Sequence, residues 1–399
     1  MKRIAIFCDG TWNRADAETP TNVVLLAQAM KLTAADGTKQ VPFYIQGVGT
    51  GRGVTKWTRF KDMVLGGGLG WGLLANIEEA FRNLVFAYEP GDEVYIFGFS
   101  RGAYTARSLT GLIRSSGIPD RANVRRIPEA IARYRVHDDE TTHPNSDESH
   151  EFRRELSPQV ATSGAELDWR ECRGLHQGHL LRISYLGVWD SVGALGIPNH
   201  LSIAPWVNRG KYKFHDAKLS SMVASARHAV ALDEKRKSFE PTQWDNVDDL
   251  NLAHGGGSAT PYEEKWFAGD HGSVGGGGDV TALSSIALEW IAEGAINAGL
   301  EFDRALLNEH VGRQDLYGPL MNSSQPPTGF VNRLTRWNPA YRDGPKRIED
   351  LHPSVLQRWH AESKQEGWQP YRPGSLKRLE TELDARKIGN EMRAESEAA

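Results

Sequence analysis

The stretch that most constrains the fold of this chain is DEVYIFGFSRGAYTARSL, residues 92–109. It joins a short apolar run to a helix-forming run through Ser100, which stands between Gly98 and Gly102. A strand followed at once by a helix is typical of folds in which helices cover a parallel sheet. The glycines have two explanations: they let the strand and the helix approach closely, or they raise the serine on a sharp turn where a base can reach it.

Short apolar runs that end at Gly or Asp recur along the chain and predict buried strands. These runs are RIAIFCDG (3–10), PFYIQGVG (42–49), EVYIFGF (93–99), LRISYLGVWD (181–190) and EKWFAGDH (264–271). Between the second and third runs, Leu73, Ile77, Phe81 and Leu84 form one apolar stripe at helical spacing. Strands that alternate with such helices predict an α/β fold with a mostly parallel, doubly wound sheet.

The overall composition excludes several classes of protein. Of the 399 residues, 39% are hydrophobic and 25% are charged, which is ordinary for a globular chain. The net charge is −4 and no basic run is present, so we expect no nucleic acid partner. The two cysteines, Cys8 and Cys172, cannot form a disulfide framework, and Cys8 lies in a predicted buried strand.

Targeting and cofactor signals are also lacking. No apolar window is long enough to span a bilayer, and the first apolar run stops at Asp9, too early for a signal-peptide core. We therefore expect a cytoplasmic protein without a signal peptide, which would be exported only by a signal-independent route. The run GGGLGWG (66–72) lacks the register of a dinucleotide-binding loop, so neither a cofactor nor a metal ion is expected.

The polarity of the chain divides it into a core and additions. The predicted units are an α/β core of 1–120 and 180–300, a polar insertion of 120–180, a C-terminal cap or helical region of 300–375 and a charged helical tail of 376–399. The insertion is acidic and rich in turn residues, and the C-terminal region is punctuated by Pro and Trp. We expect both, together with the irregular stretch 196–215, to form a cap over a site at the sheet edge.

Three residues near predicted strand ends are candidates for nucleophilic catalysis. GFSRG fits the G-x-S-x-G pattern around Ser100, while Asp190 and His271 each end a later strand. Ligand sites of doubly wound sheets collect at the carboxyl ends of the strands, so we expect the three side chains to meet there. His271 would take the Ser100 proton, and Asp190 would hold the imidazole and stabilise its charged form. The chain order Ser, Asp, His is that of α/β-hydrolases.

An oxyanion formed at Ser100 needs N–H donors. We expect the first from the backbone of Arg101, next to the serine. The second should come from a loop after an earlier strand, and DGTWN (9–13) offers the N–H of Gly10 or Thr11.

Each of these residues also has a plain structural interpretation. Asp190 could cap the turn that follows it, and His271 could be an ordinary loop histidine. A different enzyme is a further alternative, a metal-dependent phosphoesterase that uses Asp9, Asp190 and His271. IFCDGT also resembles the start of phosphatases with an aspartyl nucleophile, but Cys8 replaces the required first Asp, so that interpretation fails unless the remaining carboxylate chemistry is metal-based. Three such residues at strand ends in the right order favour the serine mechanism.

Other histidines are interpreted as non-catalytic. A loop without metal-ligand spacing, expected to be solvated, carries His137, His143 and His150. The run ARHAVALDEKRKSFEP (226–241) predicts a helix, with His228 as a core or pocket-wall residue. HGGG (254–257) imitates an oxyanion motif but follows the nucleophile, so we interpret it as a surface loop.

Several motifs occur together in an order that resembles one family. They are FCDGTWN, YIQGVGTG, GFSRGAYTAR, GVWDSVGALG, RHAVALDEKRKSFEPTQW and WFAGDHGSVGGGG, followed by LHPSVLQRW and YRPGSL. The combination resembles a bacterial and fungal α/β-hydrolase family that includes the phospholipase effectors of type VI secretion (the Tle-type lipase catalytic domain). The similarity covers most of the chain outside the insertion and the tail. It implies an α/β-hydrolase-like fold with Ser100, Asp190 and His271 as the triad.

The resemblance also implies an activity. Members of such a family hydrolyse esters, and phospholipid acyl esters, cleaved in the manner of a phospholipase A, are the leading substrate; a membrane surface and a secretion or immunity partner would go with it. One departure is that the family usually carries an acid two positions after the histidine, where this chain has Ser273, with Asp270 just before His271. A non-catalytic binding or scaffold protein on a hydrolase fold is the alternative from another class.

Overall fold

The structure is a computed structural model, and it describes residues 1–11, 13–48, 68–136, 139–193, 218–255, 260–323, 340–361 and 369–386. Some predictions fall outside the described residues: those on His137, the stretch 196–215, Gly256 and Gly257 of the HGGG run, and 387–399 of the predicted tail.

The centre of the molecule is a parallel sheet. The strands in chain order are β1 Lys2–Cys8, β2 Lys39–Ile45, β3 Glu93–Phe99, β4 Val160–Ala161, β5 His179–Leu180, β6 Ile183–Trp189, β7 Ala226–Ala231 and β8 Tyr262–Phe267. Six of them form one sheet in the order β2-β1-β3-β6-β7-β8, and each neighbouring pair is parallel. β4 and β5 form a separate small sheet. The predicted α/β class with a mostly parallel sheet is confirmed.

Helices cover both faces of this sheet. They are α1 Asn22–Ala29, α2 Gly68–Ala87, α3 Arg101–Ser116, α4 Ile127–Tyr134, α5 Asp147–Leu156, α6 Gly164–Glu171, α7 Val247–Ala253, α8 His271–Gly275, α9 Ala282–Asn297, α10 Arg304–Val311, α11 Pro353–Trp359 and α12 Glu380–Ala385. Ile4 and Ile6 of β1 join one apolar cluster with α2 and α3. Ala5 and Phe7, which point to the other face, join a second cluster with α1 and α9. None of the described helices is long and apolar enough to cross a bilayer.

The helix predicted for residues 226–241 is wrong, because Ala226–Ala231 form β7 between β6 and β8. Alanine favours a helix in isolation, but propensity is a weak guide where a segment is enclosed by the tertiary structure. All of β7 except Arg227 is buried, as in a central parallel strand that has helices on both faces. His228 in this strand is a core residue, and its Nδ1 lies 2.8 Å from Oε2 of Glu264 in β8.

The polar segment 120–180 contains α4, α5 and α6. Ile127, Ile131 and Leu156 are buried in the same apolar cluster as α3. His143 is exposed, as predicted. The prediction of a solvated loop is wrong for His150, which lies on α5 with its ring 5.5 Å from that of Trp169 and is buried. The amphipathic helix turns that side of its surface inward, so the polar composition around it did not predict burial.

A C-terminal segment packs on the outer strands of the sheet. A third apolar cluster combines Val230 of β7 and Trp266 of β8 with Leu351, Val355, Trp359, Leu376, Leu379 and Leu383. The N–H of His352 donates to the carbonyl of Trp266 at 3.0 Å. The first residues of the predicted charged tail therefore belong to the packed structure, since Leu376, Leu379 and, on α12, Leu383 are buried there.

Candidate active site

Ser100 stands on a sharp turn between β3 and α3. Its φ is 58° and its ψ is −123°, a conformation that non-glycine residues adopt rarely and that is typical of a nucleophile elbow. A Cβ on Gly98 would lie 2.4 Å from the carbonyl oxygen of Gly102, and one on Gly102 would lie 2.2 Å from that of Cys8. The packing explanation of the two glycines is therefore confirmed, because the close approach of α3 to β3 and β1 is what makes the turn so tight.

Asp190 and His271 are brought together from two other strand ends. Asp190 follows β6 directly, with a φ of 37°, and its N–H donates to the carbonyl of Ala229 at 2.7 Å. His271 is the first residue of α8, four positions after the end of β8, and Asp270 caps that helix by accepting from the N–H of Ser273 at 2.9 Å. Nδ1 of His271 lies 2.5 Å from Oδ2 of Asp190.

One cavity of about 920 Å³ contains Ser100, His271, Arg101 and Thr11 in its lining. The ring of His271 is flanked by two aromatic rings, that of Phe99 at 4.6 Å and that of Phe239 at 4.7 Å between centroids. These rings restrict the imidazole and shield its contact with Asp190 from water. Ser100 and His271 are themselves largely buried, so the cavity is their route to a ligand.

The walls of the cavity come from the core and from the C-terminal segment. The contributing residues after position 300 include Leu320, Met321, Asn322, Tyr341, Tyr371 and Pro373. Within the described part of 120–180, no residue lines the cavity, so the expected cap does not include these residues. The reason is that α4 and α5 pack against α3 instead.

Arg342 completes the surroundings of Asp190, and the sequence analysis missed it. Its Nη1 donates to Oδ1 at 2.7 Å and its Nη2 to Oδ2 at 2.9 Å, which is a bidentate pair. The N–H of Ala231 also donates to Oδ1 at 2.9 Å. An arginine that lies 152 positions along the chain from its partner has no local pattern that could reveal it.

The charge on Asp190 is strongly stabilised. Burial by itself would raise the pKa of this carboxyl, but the guanidinium of Arg342 and the hydrogen bond and charge of His271 lower it far below the usual range. Asp190 is therefore an anion whenever the protein is folded near neutral pH, as an orienting partner of an imidazole must be.

A second carboxylate approaches the backbone of His271. Oε2 of Glu234 accepts from the His271 N–H at 3.3 Å and also forms an ion pair with Nη2 of Arg236 at 2.7 Å. Burial would raise the pKa of Glu234, but its bonds to Arg236 lower it. Glu234 thus holds the start of α8 by its main chain, and Asp270 serves as the cap of that helix.

The candidate oxyanion donors differ in their availability. The N–H of Gly10 donates to Oδ1 of Asp9 at 2.7 Å and is therefore already engaged. Arg101 is the first residue of α3, where backbone N–H groups have no partner inside the helix. Thr11 lines the cavity, so its N–H is the remaining candidate from this loop.

The carboxylates of the metal-dependent alternative serve two separate networks. Asp9 accepts from the hydroxyls of Tyr44, at 2.6 Å, and Thr21, at 2.9 Å. Both oxygens of Asp190 are taken by Arg342 and His271, as described above. Within the described ranges no three His, Cys, Asp or Glu side chains are grouped so that they could hold a metal ion. The arrangement favours nucleophilic chemistry at Ser100.

Comparison with known proteins places this arrangement in a family. Residues 2–294 match the family model of the catalytic domain of the Tle1-like phospholipase effectors of the type VI secretion system. The chain belongs to this family. The Tle1-like match covers β1 to β8 and includes all three candidate catalytic residues, whereas Arg342 and the C-terminal cavity walls lie beyond it.

The individual proteins that resemble this chain share only a small part of its sequence. The chain is 26% identical over 246 residues to "Uncharacterized protein YEL023C" of Saccharomyces cerevisiae, which is 60% of this chain and 32% of the yeast protein. An uncharacterized protein from Pseudomonas aeruginosa is 18% identical, over 78% of this chain and 47% of that one, with a TM-score of 0.39. The Tle1 effector bound to the VgrG spike is 17% identical, over 69% and 51%, with a TM-score of 0.37. The matches thus span a third to a half of these longer proteins.

Proposed function

We propose that this Tle1-like protein is a serine hydrolase that cleaves the acyl esters of phospholipids, in the manner of a phospholipase A. The observation that carries the proposal is the contact between His271 and Asp190 beside a serine on a strained elbow in the same cavity. Membership of a phospholipase effector family supports the lipid as the substrate class.

The mechanism has two halves. Ser100 Oγ attacks the carbonyl carbon while His271 Nε2 takes its proton, and the negative oxygen is held by the N–H groups of Arg101 and Thr11. His271 then gives the proton to the leaving alkoxide, and the acyl group stays on Ser100. Water, deprotonated by His271, then attacks the acyl carbonyl. The bond to Ser100 Oγ breaks, His271 returns the proton to that oxygen, and the fatty acid leaves. In both halves, Asp190 holds the imidazole by Nδ1 and stabilises its charged form.

The side chain of Arg101 supports an anionic substrate. Burial lowers the pKa of its guanidinium to about 10, and no charged partner among the described residues offsets this effect. The other described arginines of the cavity are engaged. Arg236 pairs with Glu234 at 2.7 Å, Arg358 donates to the carbonyl of Gly318 at 2.9 Å, and Arg372 donates to that of Trp359 at 2.8 Å. A phosphodiester next to the ester bond would give the half-buried cation of Arg101 a partner.

The first experiment compares the wild type with Ser100→Ala on nitrophenyl esters of short and long chain length and on phospholipid vesicles. We expect Ser100→Ala to lose at least about 10⁴-fold in kcat on all of them. Ser116→Ala is a matched control, because this serine ends the same helix α3 and does not belong to the cavity lining. Equal rates for wild type and Ser100→Ala would refute the serine mechanism.

A second experiment addresses the substrate. Mass spectrometry of phospholipid vesicles after incubation should find free fatty acid and lysophospholipid, and should find the phosphate headgroup still attached. Arg101→Met should lower the rate on phospholipid relative to that on a neutral diacylglycerol by about tenfold, since a charge-assisted contact is lost. An unchanged ratio would show that Arg101 does not recognise the phosphate.

The non-catalytic alternative and the biological setting have their own tests. A binding or scaffold protein would leave Ser100 unlabelled by a fluorophosphonate probe, whereas a hydrolase forms a covalent adduct there. Membership of a family of secretion effectors supports export without a signal peptide and a secretion partner. Copurification of the full chain with a spike protein from the same cell tests that partner.

A further inference from the structure

Arg342 connects the candidate catalytic carboxylate to a part of the chain outside the family match. Besides its two bonds to Asp190, Nη1 donates to the carbonyl of Ala231 at 2.7 Å, and Nη2 donates to that of Phe239. The side chain is only 4% exposed. One guanidinium therefore joins the carboxylate to the end of β7 and to the loop that carries Phe239, the ring beside His271.

The segment that carries Arg342 is fixed at several points. The N–H of Ala340 donates to the carbonyl of Lys235 at 3.1 Å, and the Tyr371 hydroxyl donates to Oδ2 of Asp233 at 2.7 Å. The third apolar cluster holds α11 and α12 on β7 and β8. The segment is thus packed against the strands that end at the site, and this packing fixes the position of Arg342.

We propose that Arg342 is a positioning residue of the catalytic site: it fixes the Asp190 carboxylate so that Oδ2 faces His271, and it makes the site depend on residues 340–361 and 369–386. The inference rests on the proposed function. The carboxylate of an aspartate can rotate about its side-chain bonds. Two parallel hydrogen bonds from one guanidinium hold it in the plane of that group. The positive charge of Arg342 also partly neutralises that of Asp190, and this electrostatic effect opposes the charging of His271. The contribution of Arg342 to catalysis is therefore the orientation of the carboxylate.

The pH dependence of the site involves every charged group near His271. Among the described residues these groups are Asp190 after β6, Glu234 with Arg236 after β7, Asp270 at the start of α8, Arg342, and Arg101 in the same cavity lining. Of these, removal of Arg342 takes one positive charge away from the imidazole and leaves the others in place. Because one positive charge disfavours another close by, the acid limb of the activity profile should then move to higher pH.

The experiment measures kcat, KM and the pH profile of kcat/KM on a soluble short-chain ester for the full-length wild type, Arg342→Met and Arg342→Lys. Arg347→Met is the matched control, because Arg347 lies on the same segment, is 54% exposed and pairs with Asp350 at 2.8 Å. It should have the wild-type kcat and pH profile. Arg342 itself is not among the described cavity-lining residues, so KM should stay within about twofold in all variants.

We expect Arg342→Met to lose about 10²-fold in kcat, as for a small misplacement of a catalytic group. The acid limb of its pH profile should move upward by about one pH unit. Arg342→Lys keeps the positive charge but cannot make two parallel hydrogen bonds to Asp190, so its kcat should fall by about tenfold. The acid limb of its pH profile should stay in place. A kcat of Arg342→Met within twofold of wild type, or a loss of kcat without a shift of the acid limb, would overturn the inference.

Folding and mechanism are controlled separately. If thermal melting shows that Arg342→Met does not fold, Arg342→Lys decides: about a tenfold loss of kcat supports the inference and a wild-type kcat overturns it. Ser100→Ala is assayed in parallel. If it stays active, the proposed serine mechanism has failed; if it is inactive while folded Arg342→Met is fully active, only the role of Arg342 has failed.

Discussion

Two fully buried carboxylates in this protein, Asp190 and Glu166, are bound by arginines in closely similar ways. Asp190 receives both terminal nitrogens of Arg342. Glu166, on α6 in the polar segment, receives Nε of Arg153 at 2.6 Å and Nη2 of Arg170 at 2.7 Å. All of these side chains are at most 4% exposed.

The difference between them lies in the last acceptor position. Oε2 of Glu166 also accepts from the N–H of Thr162 at 3.0 Å, so its bonds are to groups of its own segment. Oδ2 of Asp190 instead lies against the imidazole of His271, which lines the cavity. Burial and ion pairing alone therefore do not mark a catalytic carboxylate. What distinguishes Asp190 from Glu166 is an imidazole partner that lines a cavity.

The largest expected effect is a loss of activity on substitution of Asp190, which substitution of Glu166 should not cause. Asp190→Asn should lower kcat by about 10⁴-fold, because an amide favours the wrong imidazole tautomer and cannot stabilise its charged form. The rate on a soluble ester, divided by the folded fraction from circular dichroism, measures it. A loss below about tenfold would place Asp190 with Glu166 as a purely structural residue.

The next largest effect is a loss of stability on substitution of Glu166. Glu166→Gln leaves two buried guanidinium groups without a compensating charge, so the free energy of unfolding should fall by about 3–5 kcal/mol. Urea titration measures the fall. The kcat of the folded protein should stay at the wild-type value, and a specific loss of kcat would show that the polar segment is coupled to the active site.

The pH dependence of stability sharpens the same comparison. Burial would raise the pKa of Glu166, but Arg153 and Arg170 lower it overall. A carboxyl with a lowered folded-state pKa stabilises the protein above its unfolded pKa, about 4.3, and this contribution is lost as the pH falls through the folded value.

The stability difference between wild type and Glu166→Gln should therefore be complete at pH 6 and shrink below about pH 4. Melting temperatures of both proteins between pH 3 and pH 7 test this. A difference that grows on acidification would contradict the sign.

The smallest effect on stability is expected for Arg154, which is next to Arg153 on α5. Arg154 pairs with Glu151 on α5, but the two side chains are 36% and 45% exposed. Arg154→Ala should therefore change the free energy of unfolding by less than about 1 kcal/mol, since solvent screens exposed pairs. Its urea midpoint, measured beside that of Arg153→Met, isolates burial as the cause of the difference.

Much of this protein is determined locally by its sequence. Apolar runs that end at Gly or Asp predicted most of the central strands, because the ends of buried strands are where the chain must turn. The pattern around Ser100 predicted the elbow, since only glycine allows the contacts seen at Gly98 and Gly102. Asp190 and His271 could be selected because each follows a strand whose carboxyl end faces the same edge.

Only the tertiary structure decided the rest. β7 is a strand because its neighbours enclose an alanine-rich segment, and His150 is buried because α5 packs on α3. Arg342 reaches Asp190 across 152 positions of the chain, through a segment held by its own apolar cluster. Local sequence specifies backbone conformation and the kinds of side chains, but which charges meet in the interior depends on how distant elements pack.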